Sequence, residues 1–146
     1  MPRPYASGVV PASADEVWAL VRDFNGLPSW LPAITASEIE GGGSGMEVGS
    51  VRRLSLGDAG QVAERLLTLD DDDRSYTYEF TDAGPFPVRS YKSTIRIAPI
   101  TSTGQAFVEW WSHFDADAEH EAGLMDTYSN GVYGAGIAAL VKHFGG

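Results

Sequence analysis

Residues 61–82, QVAERLLTLDDDDRSYTYEFTD, contain two strand-like runs on either side of four consecutive aspartates. Aromatic residues recur at every second position from Tyr76 to Phe80, which is the period of a strand with one buried face. Aspartate favours turns because its side chain accepts hydrogen bonds from nearby backbone amides. Four adjacent carboxylates cannot all converge on one ion, so a turn is favoured over a metal site. We therefore predict antiparallel strands at about 61–69 and 74–82, joined by an acidic turn.

Further strand-like runs lie on both sides of this hairpin and extend it into a larger sheet. They are separated by breaks rich in glycine, proline and serine, such as Gly84-Pro85-Phe86-Pro87, which are typical of turns. Short connections of this kind join neighbouring antiparallel strands. The additional predicted strands span about residues 4–10, 34–40, 47–55, 90–98 and 105–114.

Helices are predicted at both ends of the chain. Ser13 and Glu16 form a capping-box pattern, which predicts a short helix that ends at Asn25-Gly26. The proline-bounded stretch 27–32 predicts a second short helical turn. Apolar residues spaced by three and four from Gly123 to His143 predict a long C-terminal helix.

Three glycines, Gly131, Gly134 and Gly136, lie within that long helix. Each costs about 1 kcal/mol relative to alanine in a helix, so their presence needs a reason. Two explanations remain open. The glycines allow the helix to approach the sheet closely, or they leave space beneath the sheet for a ligand. Both explanations place this helix face against the sheet.

Composition restricts the classes of function. The 146 residues suffice for a single domain over residues 1–146, and the net charge of −10 opposes attraction to nucleic acid or anionic lipid. The absence of cysteine excludes disulfides, zinc–thiolate sites and a thiol nucleophile. No apolar run reaches the roughly 20 residues of a membrane span, and the N-terminus lacks the apolar stretch of a secretory signal. We expect a cytoplasmic protein, monomeric or homodimeric.

The three histidines do not indicate a metal site or a hydrolytic triad. His113 is predicted to point away from the interior, His120 to lie in an acidic loop, and His143 to lie at a helix C-terminus, where a cation complements the helix dipole. They share no metal-ligand spacing, and no Ser/His/Asp set accompanies them. We expect neither a metal nor a cofactor.

Several stretches together resemble a known superfamily. They are PASADEVW (11–18), PSWLP (28–32), ERLLTLD (64–70), YTYEF (76–80), PFPV (85–88) with Tyr91, and WWSHF (110–114). Their order resembles that of the START-like, Bet v 1-type helix-grip superfamily, and most closely its bacterial polyketide cyclase/dehydrase branch, the SRPBCC proteins. The resemblance covers nearly the whole chain. It implies an α+β fold in which a seven-stranded antiparallel sheet curls around the long C-terminal helix, with two short helices between strands 1 and 2.

The resemblance also implies a binding site. Most of the superfamily holds an apolar or amphipathic small molecule between the concave face of the sheet and the last helix. The chain also looks like the plant abscisic-acid receptors, in which two loops gate and latch the pocket. The corresponding loops here are residues 55–60 and 84–88, but they lack the receptors' gate proline and latch His-Arg pair. Hormone recognition is therefore not carried over, and only a mobile rim is expected.

Matching to the family assigns one face of each central strand to the ligand, with Arg52 and Arg89 nearer solvent. Tyr78 and Phe80, with Tyr76, join this face on apolar grounds. Tyr128 and Val132 face it from the last helix, and Trp30 lies near one end. The remaining predicted ligand-facing residues are Val51, Arg53, Val62, Glu64, Tyr91, Ser93, Trp110 and Ser112.

Glu64 carries the most information about function, because a buried carboxylate must be paired, hydrated or protonated. It orients a ligand hydroxyl, acts as a general base on an acidic C–H, or pairs with Arg53 to satisfy an interior position. The leading hypothesis is a protein that binds a hydrophobic or amphipathic ligand of the polyketide, lipid or aromatic type.

The alternative is an enzyme that needs no metal or cofactor: a cyclase, aromatase, dehydratase or isomerase. Glu64 is then the acid/base, and Arg53 and one of Tyr78, Tyr91 or Tyr128 stabilise an oxyanion. A protein-interaction role is a third possibility that the acidic surface permits.

Overall fold

One antiparallel sheet forms most of the molecule. The structure, a computed structural model, describes residues 1–146. The sheet has seven strands in the order β1-β7-β6-β5-β4-β3-β2. Each strand from β2 to β6 therefore pairs with the strand that follows it in sequence, and β7 also pairs with β1. The strands are β1 (Tyr5–Val10), β2 (Ala36–Ile39), β3 (Val51–Ser55), β4 (Gln61–Asp70), β5 (Ser75–Asp82), β6 (Ser90–Pro99) and β7 (Ala106–Asp115).

The acidic turn between β4 and β5 forms as predicted. The Asp70 carboxylate accepts hydrogen bonds from the backbone amides of Asp72 and Asp73, at 2.9 and 3.0 Å. This arrangement explains why an aspartate run favours the turn. The pairing of β4 with β5 then shifts between Ala63 and Glu64, where an irregularity of the bulge type changes which side chains lie opposite each other.

The helices occupy the predicted positions with different boundaries. Helix α1 (Ala14–Val21) begins with the predicted capping box, in which Ser13 Oγ accepts from the Glu16 amide at 3.2 Å, and a 3₁₀ turn follows at Leu27–Ser29. Helix α1 ends before the predicted Asn25-Gly26 boundary. None of the helices is both long enough and apolar enough to cross a lipid bilayer.

The C-terminal helix begins earlier than predicted and is not uniform. It consists of α2 (Ala118–Asp126), a π-helical segment (Thr127–Gly134) and α3 (Ala135–His143). His120 therefore lies in a helix, and its prediction as part of an acidic loop was wrong. Asp117 immediately precedes α2 with an extended backbone, so the acidic residues that suggested a loop form the start of the helix instead.

The two explanations for the helix glycines each apply to a different glycine. A Cβ on Gly136 would lie 2.6 Å from Trp110 Cζ3, so this glycine allows α3 to approach β7 closely. A Cβ on Gly131 would meet nothing within 4 Å, so this glycine leaves open space. Close approach holds the helix against the sheet, and the open space adjoins the cavity described below.

Alanine substitutions at these two glycines are expected to have opposite effects. Gly131→Ala should raise the free energy of unfolding by about 0.5–1 kcal/mol, because it restores helix propensity without a collision. Gly136→Ala should lower the same quantity by about 1–3 kcal/mol, because the new methyl group overlaps the Trp110 ring. Urea denaturation of both variants measures the difference. Equal changes in the same direction would contradict this account of the helix packing.

Candidate functional site

A cavity of about 110 Å³ lies between the concave face of the sheet and the C-terminal helix. Most of its walls are apolar side chains, and two charged residues, Arg52 and Glu64, lie among them. The lining residues are Leu27, Leu31, Ala33, Ile34, Arg52, Leu54, Leu56, Val62, Glu64, Tyr78, Phe80, Phe86, Tyr91, Trp110, Tyr128, Gly131, Val132 and Ala135.

The mouth of the cavity is formed by the lining residues that remain exposed or half-buried. Leu56 and Phe86 come from the two loops that were predicted to form a rim, and Val132 comes from the π-helical segment. Phe86 stacks on Phe80 with ring centroids 6.0 Å apart and contacts the Tyr128 ring at 5.4 Å. An aromatic side chain on a loop therefore covers part of the entrance.

A buried ion pair between β3 and β4 forms the polar part of the cavity. Arg52 is fully buried, and its Nε donates to Glu64 Oε1 at 2.9 Å. Its Nη2 lies 2.8 Å from the same oxygen, and its Nη1 donates to the Phe24 carbonyl at 2.7 Å. The guanidinium also lies over the Phe24 ring, 3.9 Å from the centroid. These contacts compensate for removing a cation from water.

Burial disfavours the charged form of both Glu64 and Arg52, but the two groups differ in the net direction of their pKa shifts. Burial raises the pKa of Glu64, and the attraction of the Arg52 guanidinium reduces this rise without cancelling it. Burial by itself lowers the pKa of Arg52, but Tyr76 and Glu64 next to it raise the pKa by more, so Arg52 stays charged. The site therefore contains a permanent cation beside a carboxyl group that takes up a proton more readily than an exposed glutamate does.

One oxygen of Glu64 remains available to a ligand. All the contacts with Arg52 use Oε1, and Oε2 has no hydrogen-bond partner in the protein. Oε2 also keeps some exposed surface, and Glu64 lines the cavity. A carboxylate oxygen with free lone pairs therefore faces an otherwise apolar space.

We expect Glu64 to make the folded state less stable as the pH rises. From the ordinary glutamate pKa up to the raised value, the folded protein keeps a proton that the unfolded chain has already released. The free energy of unfolding should fall across this window, with a slope of up to about 1.4 kcal/mol per pH unit. Urea denaturation of the wild type and of Glu64→Gln at a series of pH values isolates this contribution. A wild-type stability that rises relative to the variant would show that Arg52 lowers the pKa instead.

The tyrosine hydroxyls around the cavity bond mainly within the protein. Trp110 Nε1 donates to the Tyr78 hydroxyl at 3.1 Å, and the hydroxyls of Tyr91 and Tyr133 bond to each other. Burial raises the pKa of Tyr133 to about 12 and raises the pKa values of Tyr78 and Tyr91 well above the usual range. These phenols stay neutral at physiological pH, so they act as hydrogen-bond donors and acceptors rather than as bases.

Many of the predicted ligand-facing residues line the cavity, although their contact with a ligand remains a prediction. They are Val62, Glu64, Tyr78, Phe80, Tyr91, Trp110, Tyr128 and Val132. Trp30, Ser93 and Ser112 are buried but do not line it. Trp30 packs against Trp110 at 6.3 Å between ring centroids, and Ser93 Oγ donates to the Trp111 carbonyl at 2.9 Å.

The predicted orientation of β3 was wrong. Val51 and Arg53 lie on the outer face of the sheet, whereas Arg52, predicted near solvent, and Leu54 are buried. Arg53 forms surface ion pairs with Glu40 at 3.1 Å and Asp82 at 3.3 Å, so it does not contact Glu64. The physical reason is the register with β4, in which Arg52 is opposite Glu64 and the two residues share a face.

Several lining residues were not predicted from the sequence. Leu54 was not predicted, because the expected orientation of β3 places it on the outer face. Leu27 and Leu31 were predicted only as part of a short helical turn, and Ile34 only as the start of a strand. Leu31 and Ile34, on either side of Pro32, indicated that this segment packs against the core, because large apolar side chains are usually buried. No three side chains of His, Asp or Glu converge as metal ligands in this structure.

The fold and the site together define a helix-grip protein with an internal apolar cavity. The chain belongs to the family described as "Polyketide cyclase / dehydrase and lipid transport", whose model matches residues 1–145. This finding confirms the resemblance to the SRPBCC proteins and the predicted fold class. Family and fold together indicate a domain that binds a hydrophobic ligand.

Solved structures agree with this assignment. The protein XoxI of Bacillus cereus is 34% identical, with a TM-score of 0.86 over 99% of this chain and 96% of its own. A protein of Thermobifida fusca is 29% identical, with a TM-score of 0.89 over 99% and 94% of the two chains. Norcoclaurine synthase of Thalictrum flavum is 21% identical, with a TM-score of 0.76 over 97% and 85%, and shares the fold.

Proposed function

We propose that the protein binds a small hydrophobic or amphipathic molecule of the aromatic, polyketide or lipid type in this cavity. The observation that supports the proposal is a mostly apolar enclosure with a single free carboxylate oxygen, that of Glu64, directed into it. Ligand sites in proteins commonly combine apolar walls with a few polar groups that orient the ligand.

The volume limits what the closed cavity holds. Drug-sized ligands occupy pockets of about 300–1,000 Å³, whereas an apolar cavity of about 150 Å³ holds a benzene molecule. The closed cavity of about 110 Å³ is smaller than this, so it suits the end of an acyl chain, and a complete aromatic ring needs some widening at the mouth. A larger ligand extends through the mouth and displaces Phe86.

Native mass spectrometry tests this function with three probes: decanol, a single-ring phenol and the polyketide naringenin. We expect at least one complex, and Val132→Trp should weaken it more than tenfold because the larger side chain occupies the mouth. Asn130→Trp is the matched control, since Asn130 is exposed on the same helical segment and does not line the cavity. Binding that both variants leave unchanged would place the ligand elsewhere, and no binding at all would contradict the proposal.

A second function, general-base catalysis by Glu64, is supported by its raised pKa and its free Oε2. A base with a pKa nearer neutrality removes a proton from an activated C–H more effectively. The probe is 4-methylacetophenone, dissolved in D₂O. The protons of its acetyl methyl group, next to the carbonyl, exchange with solvent through an enolate. Wild-type protein should accelerate the exchange seen by NMR, and Glu64→Gln should not. Equal exchange rates for the two proteins would remove Glu64 from this role.

A further inference from the structure

We propose that the cavity selects ligands whose buried end is a neutral hydrogen-bond donor, such as a phenolic hydroxyl, and rejects ligands whose buried end is a carboxylate. This inference rests on the proposed binding function and specifies the ligand chemistry for the same site. It follows from which polar atoms of the ion pair remain free and from their charge.

The free atom is an acceptor. Only 5% of the surface of Glu64 is exposed. Its Oε1 accepts a hydrogen bond from Arg52 Nε and lies beside Nη2 of the same side chain. Oε2 has no partner and borders the cavity. When Glu64 is ionised, a hydrogen bond to Oε2 is roughly twice as strong as one between neutral groups, and it strengthens further where water is excluded. A donor on the ligand is therefore needed opposite Oε2.

The cation of the pair is not available to an acidic ligand. The Arg52 side chain has no exposed surface, and its Nε and Nη1 donate to Glu64 and to the Phe24 carbonyl. Its Nη2 lies 2.8 Å from Glu64 Oε1 without the geometry of a hydrogen bond, and it is enclosed by the protein, so a ligand in the cavity does not contact it. A ligand carboxylate would therefore meet the Glu64 carboxylate across the cavity without reaching an arginine N–H group.

The other polar groups do not reverse this preference. The Tyr78 hydroxyl accepts from Trp110, and the Tyr91 hydroxyl bonds to Tyr133. The Tyr128 hydroxyl has no hydrogen-bond partner, but it is enclosed by the protein and has no surface in the cavity for a ligand to contact. No further cationic side chain lines the cavity. A buried ligand carboxylate would thus lose its hydration without gaining an opposite charge, and such an uncompensated charge is strongly disfavoured.

Four single-ring probes of similar size and shape test the inference: toluene, para-cresol, 4-methylanisole and para-toluate. Titrations of ¹⁵N-labelled protein give their affinities, at a pH above the range in which the urea series shows the release of the Glu64 proton. Para-cresol should bind about 10–100-fold more tightly than 4-methylanisole, which has the same oxygen without its proton. Para-toluate should bind at least about 100-fold more weakly than para-cresol.

A charge-neutral variant provides the second arm. Glu64→Gln should reduce the preference for para-cresol over para-toluate at least tenfold. The matched control is Glu79→Gln on β5, because Glu79 pairs with Arg65 at 2.9 Å on the outer face and does not line the cavity. Should Glu64→Gln fail to fold, the four-probe series on the wild type decides the question by itself.

The possible outcomes separate the two proposals. If toluene and para-cresol both fail to bind, the proposed binding function fails, and this inference fails with it. If toluene binds but para-toluate binds as tightly as para-cresol, the cavity has no donor preference. In that case only the inference about the ligand's polar end is overturned.

Discussion

Replacement of Arg52 by methionine is expected to lower the free energy of unfolding by about 3–5 kcal/mol. Methionine fills a similar volume, so the loss arises from the partners of the guanidinium rather than from a cavity. Glu64 Oε1 and the Phe24 carbonyl would both remain buried without a donor. Buried groups that lose their partners carry the full cost of desolvation. Denaturation in urea at neutral pH measures the change.

Two further variants identify the cause of this loss. Arg53→Met is the matched control, because Arg53 is the next residue along β3 and its ion pairs lie at the surface, where each contributes about 0–1 kcal/mol. The double variant Arg52→Met/Glu64→Leu should recover most of the stability, since it removes both charges together. Equal losses for Arg52→Met and Arg53→Met would contradict the assigned orientation of β3.

Alanine at Gly84 is expected to cost about 2–4 kcal/mol and to release the loop that carries Phe86. Gly84 has φ of +54°, which disfavours any residue with a Cβ, and the added Cβ would overlap the Gln61 carbonyl oxygen. Because this obstacle is backbone in β4, neither side can move aside without disturbing the sheet. We expect the loop to move away from β4, and limited proteolysis within residues 83–89 should accelerate.

Gly104→Ala separates backbone strain from collision. Gly104 also has a positive φ, +76°, but a Cβ there would meet nothing within 4 Å. Its substitution should therefore cost only about 1–2 kcal/mol and leave the proteolysis of residues 83–89 unchanged. If Gly84→Ala costs no more than Gly104→Ala, close packing of the loop on β4 does not hold Phe86 at the mouth.

Local patterns explain how much of the fold could be predicted from the sequence. The alternation in β5, the acidic turn at Asp70 and the capping box at Ser13 each depend on residues close together in the chain. Their physical chemistry is complete within a few positions, so the pattern identifies the structure directly. The family resemblance then supplied the order and curvature of the sheet.

The orientation of β3 could not be obtained in this way. Its sequence, Val-Arg-Arg-Leu-Ser, has one arginine and one large apolar residue on each face, so alternation does not distinguish the two faces. Which arginine is buried depends on the pairing with Glu64 and on the Phe24 carbonyl, which lies 28 residues away along the chain. Contacts of this range leave no periodic signal in the strand itself.

The cavity volume and the π-helical segment could not be predicted from the sequence patterns either. Both result from how the helix packs on the sheet, with close approach at Gly136 and open space at Gly131. The pattern of three-to-four spacing predicted one regular helix, whereas the structure widens its turns between Thr127 and Gly134. Side-chain volumes from several elements decide this outcome together.

The guanidinium of Arg52 has a consequence for how the protein opens. It connects the segment after α1, through the Phe24 carbonyl, to β3, β4 and the Tyr76 hydroxyl at 3.3 Å. Local unfolding of any one of these parts would leave the buried guanidinium without some of its partners. We therefore expect these parts to exchange their amide hydrogens as one cooperative unit. The loop with Phe86 and the residues around Gly131 lie outside this unit. Ligand exchange should therefore proceed on their side of the molecule while the opposite wall stays closed.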